Sequence, residues 1–176
     1  MTFDFSEFKN KKIIVTGSST GIGFETGVEF LNLGANVIFH GNQSINDLEA
    51  RIKSKSQSQN FKIFKSDFTD LSQVDNFMNN AINYLNGLDI LVNNAGTMVG
   101  RYQLETISEK DFLKIFDLNA KSAYFATKSA CTIFKKQNYG NIINVSTISA
   151  RTGGSAGSSV YAVSYTHLRA HETCVH

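Results

Sequence analysis

The chain of 176 residues contains no proline and no tryptophan, and only two cysteines, Cys131 and Cys174. Without proline no turn is fixed by a locked φ, so glycine, asparagine and serine must punctuate the fold. Two cysteines so placed make neither a disulfide framework nor a metal-ligand spacing, and Cys131, inside a helical pattern, is expected to be buried and inert. Charge is sparse too: 18% of residues carry it and the net charge is +2, which builds no basic field for nucleic acid. No apolar run approaches the length of a bilayer span. The opening Met1-Thr2-Phe3-Asp4-Phe5 carries an acid and lacks the apolar core of a signal sequence. The expectation is a cytoplasmic protein with neither nucleic acid nor membrane as a partner. Length and the 41% apolar content suffice for one sizeable core and not for two domains.

What is present is a regular alternation of strand and helix patterns. Ile13-Ile14-Val15 is an apolar run leading into a glycine turn and then an amphipathic stretch, Phe24 to Leu33, closed by Gly34. Ala35 to Phe39 reads as a second strand, Asn46 to Ser56 as a polar helix, and Phe61 to Lys65 as a third strand. Asp70 opens a helix to Leu85, Leu88 to Val92 is a fourth strand, and Ser108-Glu109 starts a long helix to about Lys136. Gly140 to Val145 is the fifth strand. This period specifies an α/β fold, a doubly wound parallel sheet of Rossmann type, with ligands beyond the carboxyl ends of the strands.

The turn Thr16-Gly17-Ser18-Ser19-Thr20-Gly21-Ile22-Gly23 carries most of the functional signal. Glycines there let the backbone approach a ligand and let the helix pack on its strand, while the helix amino end favours an anion. No Gly-Lys-Ser/Thr closes it, so a nucleoside-triphosphatase loop is disfavoured. Polar residues recur at the other strand ends: His40, Asn42 and Ser44 after strand two, Asp67-Phe68 after strand three, Asn93-Asn94-Ala95-Gly96 after strand four, and Ser146-Thr147 after strand five.

Together these residues resemble the short-chain dehydrogenase/reductase family, from the first strand to Tyr161. The Thr16-Gly17-x-x-x-Gly21-x-Gly23 turn is similar to that family's phosphate-binding turn, and Asn93-Asn94-Ala95-Gly96 to its signature after strand four. The resemblance implies NAD(P)-dependent hydride transfer between nicotinamide and a carbonyl or alcohol carbon, with a small-molecule carbonyl or acyl thioester as substrate. It implies Tyr161 as acid/base, Thr147, or Ser146 in its place, as the hydroxyl on the substrate oxygen, and Asn119 in a proton relay. Gly17, Ser18, Ser19, Thr20, Gly21, Ile22, Gly23, His40, Asn42, Asp67, Phe68, Asn93, Ala95 and Gly96 would bind the cofactor. Gly41 stands where an NAD-type acid would fall, so nothing repels a 2′-phosphate, and His40, Asn42 and Ser44 could donate to one. NADP is the preferred cofactor and NAD the alternative. The loop from Ala150 to Gly157 resembles 3-oxoacyl carrier-protein reductases, and the parent protein is expected to be a homodimer or homotetramer.

One departure changes this picture. The family's lysine four residues after the tyrosine is replaced by Tyr165, and Arg169 would lie about 12 Å along a helix from Tyr161, too far to substitute. His167 and His171 have helical metal-pair spacing, but Leu168 follows the first and no third ligand is apparent, so no metal is expected. Val163 through Thr173 match, residue for residue, one reading frame of a common transposase-type sequencing adapter. The expectation is a domain over residues 1–162, truncated after the fifth strand, followed by a foreign tail over 163–176, and no reductase activity for the literal chain. The alternative is a non-catalytic NAD(P)-sensing module that kept the phosphate turn and lost the lysine.

Overall fold

Apolar residues alternate sides along the first strands, and that alternation divides the core in two. In the computed structural model, which describes residues 4–43 and 45–166, β1 is Lys12–Val15, β2 Asn36–Gly41, β3 Phe61–Lys65, β4 Ile90–Asn93 and β5 Asn141–Asn144. All pair in parallel in the order β3-β2-β1-β4-β5. Ile13, Val15, Val37, Phe39, Ile90 and Val92 face one side, where Phe24, Val28 and Leu31 of α1 (Gly21–Asn32) and Leu48 and Ile52 of α2 (Leu48–Lys55) cover them. Ile14, Ile38 and Leu91 face the other side, under α3 (Leu71–Leu85) and α5 (Ser122–Gln137). A strand buried on both faces has no polar positions to spare, hence the unbroken runs in β1 and β4. Each buried aliphatic or phenylalanine side chain in these layers stabilises the fold by about 1.5–3 kcal/mol.

Strand order reverses between β1 and β4, and a crevice opens there beyond the strand ends. Above β5 lie a single turn, α6 (Ser149–Thr152), and α7 (Ser159–Thr166), which packs on α6 and on α4 (Glu109–Phe116). Helix α7 runs through Thr166, four residues past the expected boundary at 162. Among the described residues β5 has a strand neighbour on one side only, and its Ile143 is 44% exposed.

Three local expectations change. The first helix begins at Gly21, three residues early, because the glycine turn needs no residues beyond Thr20 to reverse the chain. The long helix after Ser108 is interrupted by a π turn, Asp117–Lys121, which places Asn119 inward. Cys131 is only half-buried on α5, where burial was expected. No helix among the described residues is long and apolar enough to cross a membrane.

Candidate active site

The crevice is built from a clasp between the ends of β1 and β4. The Thr16 hydroxyl donates to the Val92 carbonyl at 3.2 Å and accepts from the amides of Asn94 and Ala95, both at 3.0 Å. The Asn94 side-chain amide donates back to the Thr16 and Gly17 carbonyls, each at 3.0 Å. Threonine and asparagine at these strand ends are therefore the fasteners of the switch point, since each satisfies backbone groups that leave the sheet ladder unpaired. Gly17, with φ +61°, lies so close that a Cβ there would fall 2.7 Å from the Ala95 Cα. Gly21, with φ +59°, has nothing within 4 Å of such a Cβ, so its bare backbone faces open space. Helix α1 has no side-chain cap, and its first-turn amides, at Gly21, Ile22 and Gly23, have no partner within the helix. Thr20, Gly21 and Ile22 are exposed, Ile22 to 70%. An anion beside Gly21 would meet both the free amides and the positive end of the helix.

Several residues assigned to the cofactor from sequence are committed to the protein instead. Ser18 is fully buried: its hydroxyl donates to the Val15 carbonyl at 2.7 Å and accepts from the His40 amide at 2.8 Å, and its own amide donates to the His40 carbonyl at 2.8 Å. The Gly17 amide donates to His40 Nδ1 at 2.9 Å, which makes Nε2 the protonated nitrogen, donating to the Ser66 carbonyl at 3.1 Å. His40 is 3% exposed, and its ring stacks on buried Phe68 at 3.9 Å between centroids. The expectation that His40 reaches a 2′-phosphate is corrected: both its nitrogens are used and its ring lies in the core. The side chains of Ser18 and Phe68 leave the candidate set for the same reason, and Gly23 is buried against Asn94. Buried Asn93 spends its amide on Thr127 and Asn144, both at 2.9 Å, joining β4 to α5 and β5. Ser44 lies outside the described residues, as do His167 and His171.

Burial holds the His40 pKa down to about 4, against weaker opposing pulls from the Ser66 carbonyl and Asp67. The unfolded chain takes up a proton below the ordinary value of about 6.5 and the folded one does not until about 4. His40 therefore leaves stability intact above about pH 6.5 and removes up to about 3 kcal/mol as pH falls to about 4. Urea midpoints measured across that window should fall steeply for the wild type and more gently for His40→Gln; parallel slopes would contradict the assignment.

Asp67, after β3, and Asn42, after β2, are hydrogen-bonded to each other. Burial pushes the Asp67 carboxyl up, but hydrogen bonds from the Thr69 amide and hydroxyl and from Asn42, with help from Lys114, outweigh it and hold the group below its ordinary value. Asp67 stays a half-buried carboxylate whose Oδ1 accepts from Thr69 at 2.9 and 2.7 Å.

At the opposite end stand Gly96, Asn119 and α7. Asn119 is fully buried, and its side chain is saturated: Oδ1 accepts from the Thr97 amide at 2.7 Å, while Nδ2 donates to the Thr97 carbonyl at 2.9 Å and to Ser164 Oγ at 3.0 Å. Ser164 in turn donates to the Tyr161 carbonyl at 2.8 Å, so Asn119 ties the loop after β4 to the helix that carries Tyr161. Tyr161 lines a recess with Met98, Tyr102, Ile115 and Val160. Thr147, half-buried, accepts from the Ser149 amide at 3.2 Å, and Ser146 is exposed. Tyr165 is 7% exposed, its hydroxyl lies against the Gly96 backbone and its ring is 4.9 Å from that of Tyr161. Burial first, then the neighbouring Tyr161, push the Tyr165 phenol far above its ordinary value, so it is a neutral group where the family resemblance calls for a cation. Among the described residues no group of three or more histidines, cysteines or acids gathers at a metal site.

This strand order, an uncapped helix opening at the switch point and a tyrosine above β5 define a Rossmann-type α/β domain. The comparisons with known proteins narrow the class: the short chain dehydrogenase family matches residues 11–169, and the chain belongs to it. A probable NADP-dependent mannitol dehydrogenase of Yarrowia lipolytica is 32% identical over 142 residues, covering 80% of this chain and 51% of that one. The sorbose reductase of Schizosaccharomyces pombe is 32% identical over 152 residues, covering 85% and 59%. Among solved structures, an NADH-dependent reductase, A1-R′, complexed with NAD superposes with a TM-score of 0.85 at 30% identity, covering 94% of this chain and 71% of that one. A short chain dehydrogenase from Burkholderia cenocepacia in complex with NADP gives 0.81 at 26% identity, covering 92% and 65%. The chain spans about half the length of the curated relatives it matches.

Proposed function

We propose that the parent protein is an NAD(P)-dependent oxidoreductase that reduces a carbonyl group, and that residues 1–162 are its cofactor-binding part. The observation that carries this reading is the uncapped amino end of α1, which opens beside Gly21 at the sheet's switch point. The fit is good at that end: free amides and open space meet a diphosphate, and exposed Asn42 and half-buried Asp67 meet an adenosine. When bound, a reduced nicotinamide supplies a hydride to the carbonyl carbon. Tyr161 then gives its phenolic proton to the carbonyl oxygen, which becomes the alcohol, while Thr147 donates a hydrogen bond to the same oxygen. Asn119 holds the helix that carries Tyr161. NADP is the preferred cofactor, since Gly41 offers no acid to repel its phosphate. For the substrate, the sequence points to a 3-oxoacyl thioester, and two relatives are named for mannitol and sorbose, which favours a ketose as well. The parent is cytoplasmic and assembles with copies of itself.

We further propose that Val163 to His176 are not the protein's own. Their adapter-like string supports this, and the buried Tyr165 phenol stands beside Gly96 at the position where the family resemblance calls for a lysine. For the literal chain this arrangement favours a second reading, a module that binds nucleotide without turnover. Two measurements test the proposal. The source locus, read past codon 162, should show a lysine codon at 165, and its product should oxidise NADPH only when a 3-oxoacyl thioester or a ketose is added. Tyr161→Phe in that product should lower kcat by about a hundredfold to ten-thousandfold, the usual weight of a general acid. Carbonyl-dependent NADPH oxidation by these 176 residues would refute the inactivity.

A further inference from the structure

We propose that Arg51, from the opening turn of α2, is the cation that selects a 2′-phosphate at the adenosine end of the site, an inference that rests on the dinucleotide reading above. No arginine stands among the residues directly after β2, yet the fold brings Arg51 of α2 beside them. Arg51 Nη2 donates to the Ser19 carbonyl at 2.8 Å, and its guanidinium lies 5.2 Å from the centroid of the Phe24 ring on α1. Its Nε pairs with Asp47 at 3.1 Å. The guanidinium is therefore pinned against the phosphate turn.

Ser19, which holds it, also shapes the end of β2. A Cβ at Gly41 would fall 2.6 Å from Ser19 Cβ, 2.9 Å from Ser19 Oγ and 2.8 Å from Ile45 Cγ2. No side chain fits at Gly41 unless the turn moves, so an acid gripping a ribose diol is shut out by packing as well as absent from the sequence. The same packing sets the Ser19 side chain against the end of β2, and the Ser19 carbonyl holds the Arg51 fork at that edge of the turn. A hydroxyl donor beside a planar cation suits a phosphate monoester far better than a neutral diol. Asp47 is a competing carboxylate; its side chain is 69% exposed and can turn to water when a phosphate arrives.

The test uses the chain as it stands and two fragments of the cofactor, adenosine 2′,5′-bisphosphate and adenosine 5′-monophosphate, titrated by calorimetry. The bisphosphate should bind about tenfold to a hundredfold more tightly, the range of one charge-assisted contact, and the margin should shrink with added salt. Arg51→Gln should erase the margin and leave the monophosphate affinity unchanged, which a merely structural role would not do. Arg51→Lys should keep part of it, and Asp47→Asn, whose folding does not depend on removing the cation, should widen it. A margin untouched in Arg51→Gln, or not widened in Asp47→Asn, overturns the assignment. Equal binding of both nucleotides overturns it alone, and binding of neither overturns the dinucleotide reading together with it.

Discussion

Gly17→Ala is expected to destabilise the fold by about 3 kcal/mol, the sum of an overpacked contact and a left-handed residue that carries a side chain. The added carbon would sit 2.7 Å from the Ala95 Cα and 3.0 Å from its nitrogen, both backbone atoms that the Thr16 clasp prevents from yielding. In a domain of this size such a loss lowers the melting temperature by about 10 °C. Gly21→Ala is the informative contrast. Its φ is equally left-handed at +59°, but the new methyl meets nothing in the protein. It should cost only about 1 kcal/mol of stability while placing the methyl where the nucleotide approaches, so binding should suffer more than folding. Thermal unfolding by circular dichroism and NADPH titration of both variants would separate the two roles. A Gly17→Ala protein melting within about 2 °C of wild type would remove the close-approach argument.

Asn119→Ala carries the second large effect. Three hydrogen bonds vanish from a fully buried side chain, the Thr97 amide and carbonyl and the Ser164 hydroxyl each lose a partner, and a small cavity remains. Orphaned buried groups cost about 1–3 kcal/mol apiece, and partial relaxation brings the expected total to about 4 kcal/mol. Hydrogen exchange should show the loop from Thr97 and the helix carrying Tyr161 loosening together, because Asn119 and Ser164 are the links that join them. Loosening of one without the other would show that the two are held independently.

Much of this could be read from the residues because the signals are local. The run before Thr16, the glycines at 17, 21 and 23 and the paired asparagines after β4 each declare their place by near-neighbour chemistry. What sequence reasoning missed depends on partners far along the chain. His40 looked like a ligand because it follows a strand, but its two nitrogens meet Gly17 and Ser66, at separations of 23 and 26 residues. Only its position among Ile38, Phe39 and a later Phe68 hinted at a buried ring. Arg51 sits on a polar helix among other charges, and nothing nearby distinguishes it from a solvated side chain until Ser19 is placed beside it. The π turn left one trace, the spacing of the buried positions.

That spacing explains why the bulge exists. Ile115, Asn119, Ala123, Ala126, Ala130 and Phe134 are all buried, separated by steps of four, four, three, four and four residues. On an ordinary helix, steps of four overshoot by about 40° and steps of three fall short by about 60°, so the phase error accumulates to about 100°, one residue's worth of rotation. The widened turn at Asp117–Lys121 absorbs that residue like a leap day in a calendar, keeping the polar grip of Asn119 and the alanine seam of α5 on the same meridian. Deleting one residue there would regularise the helix and put the calendar out of season: either the asparagine or the seam would turn toward solvent.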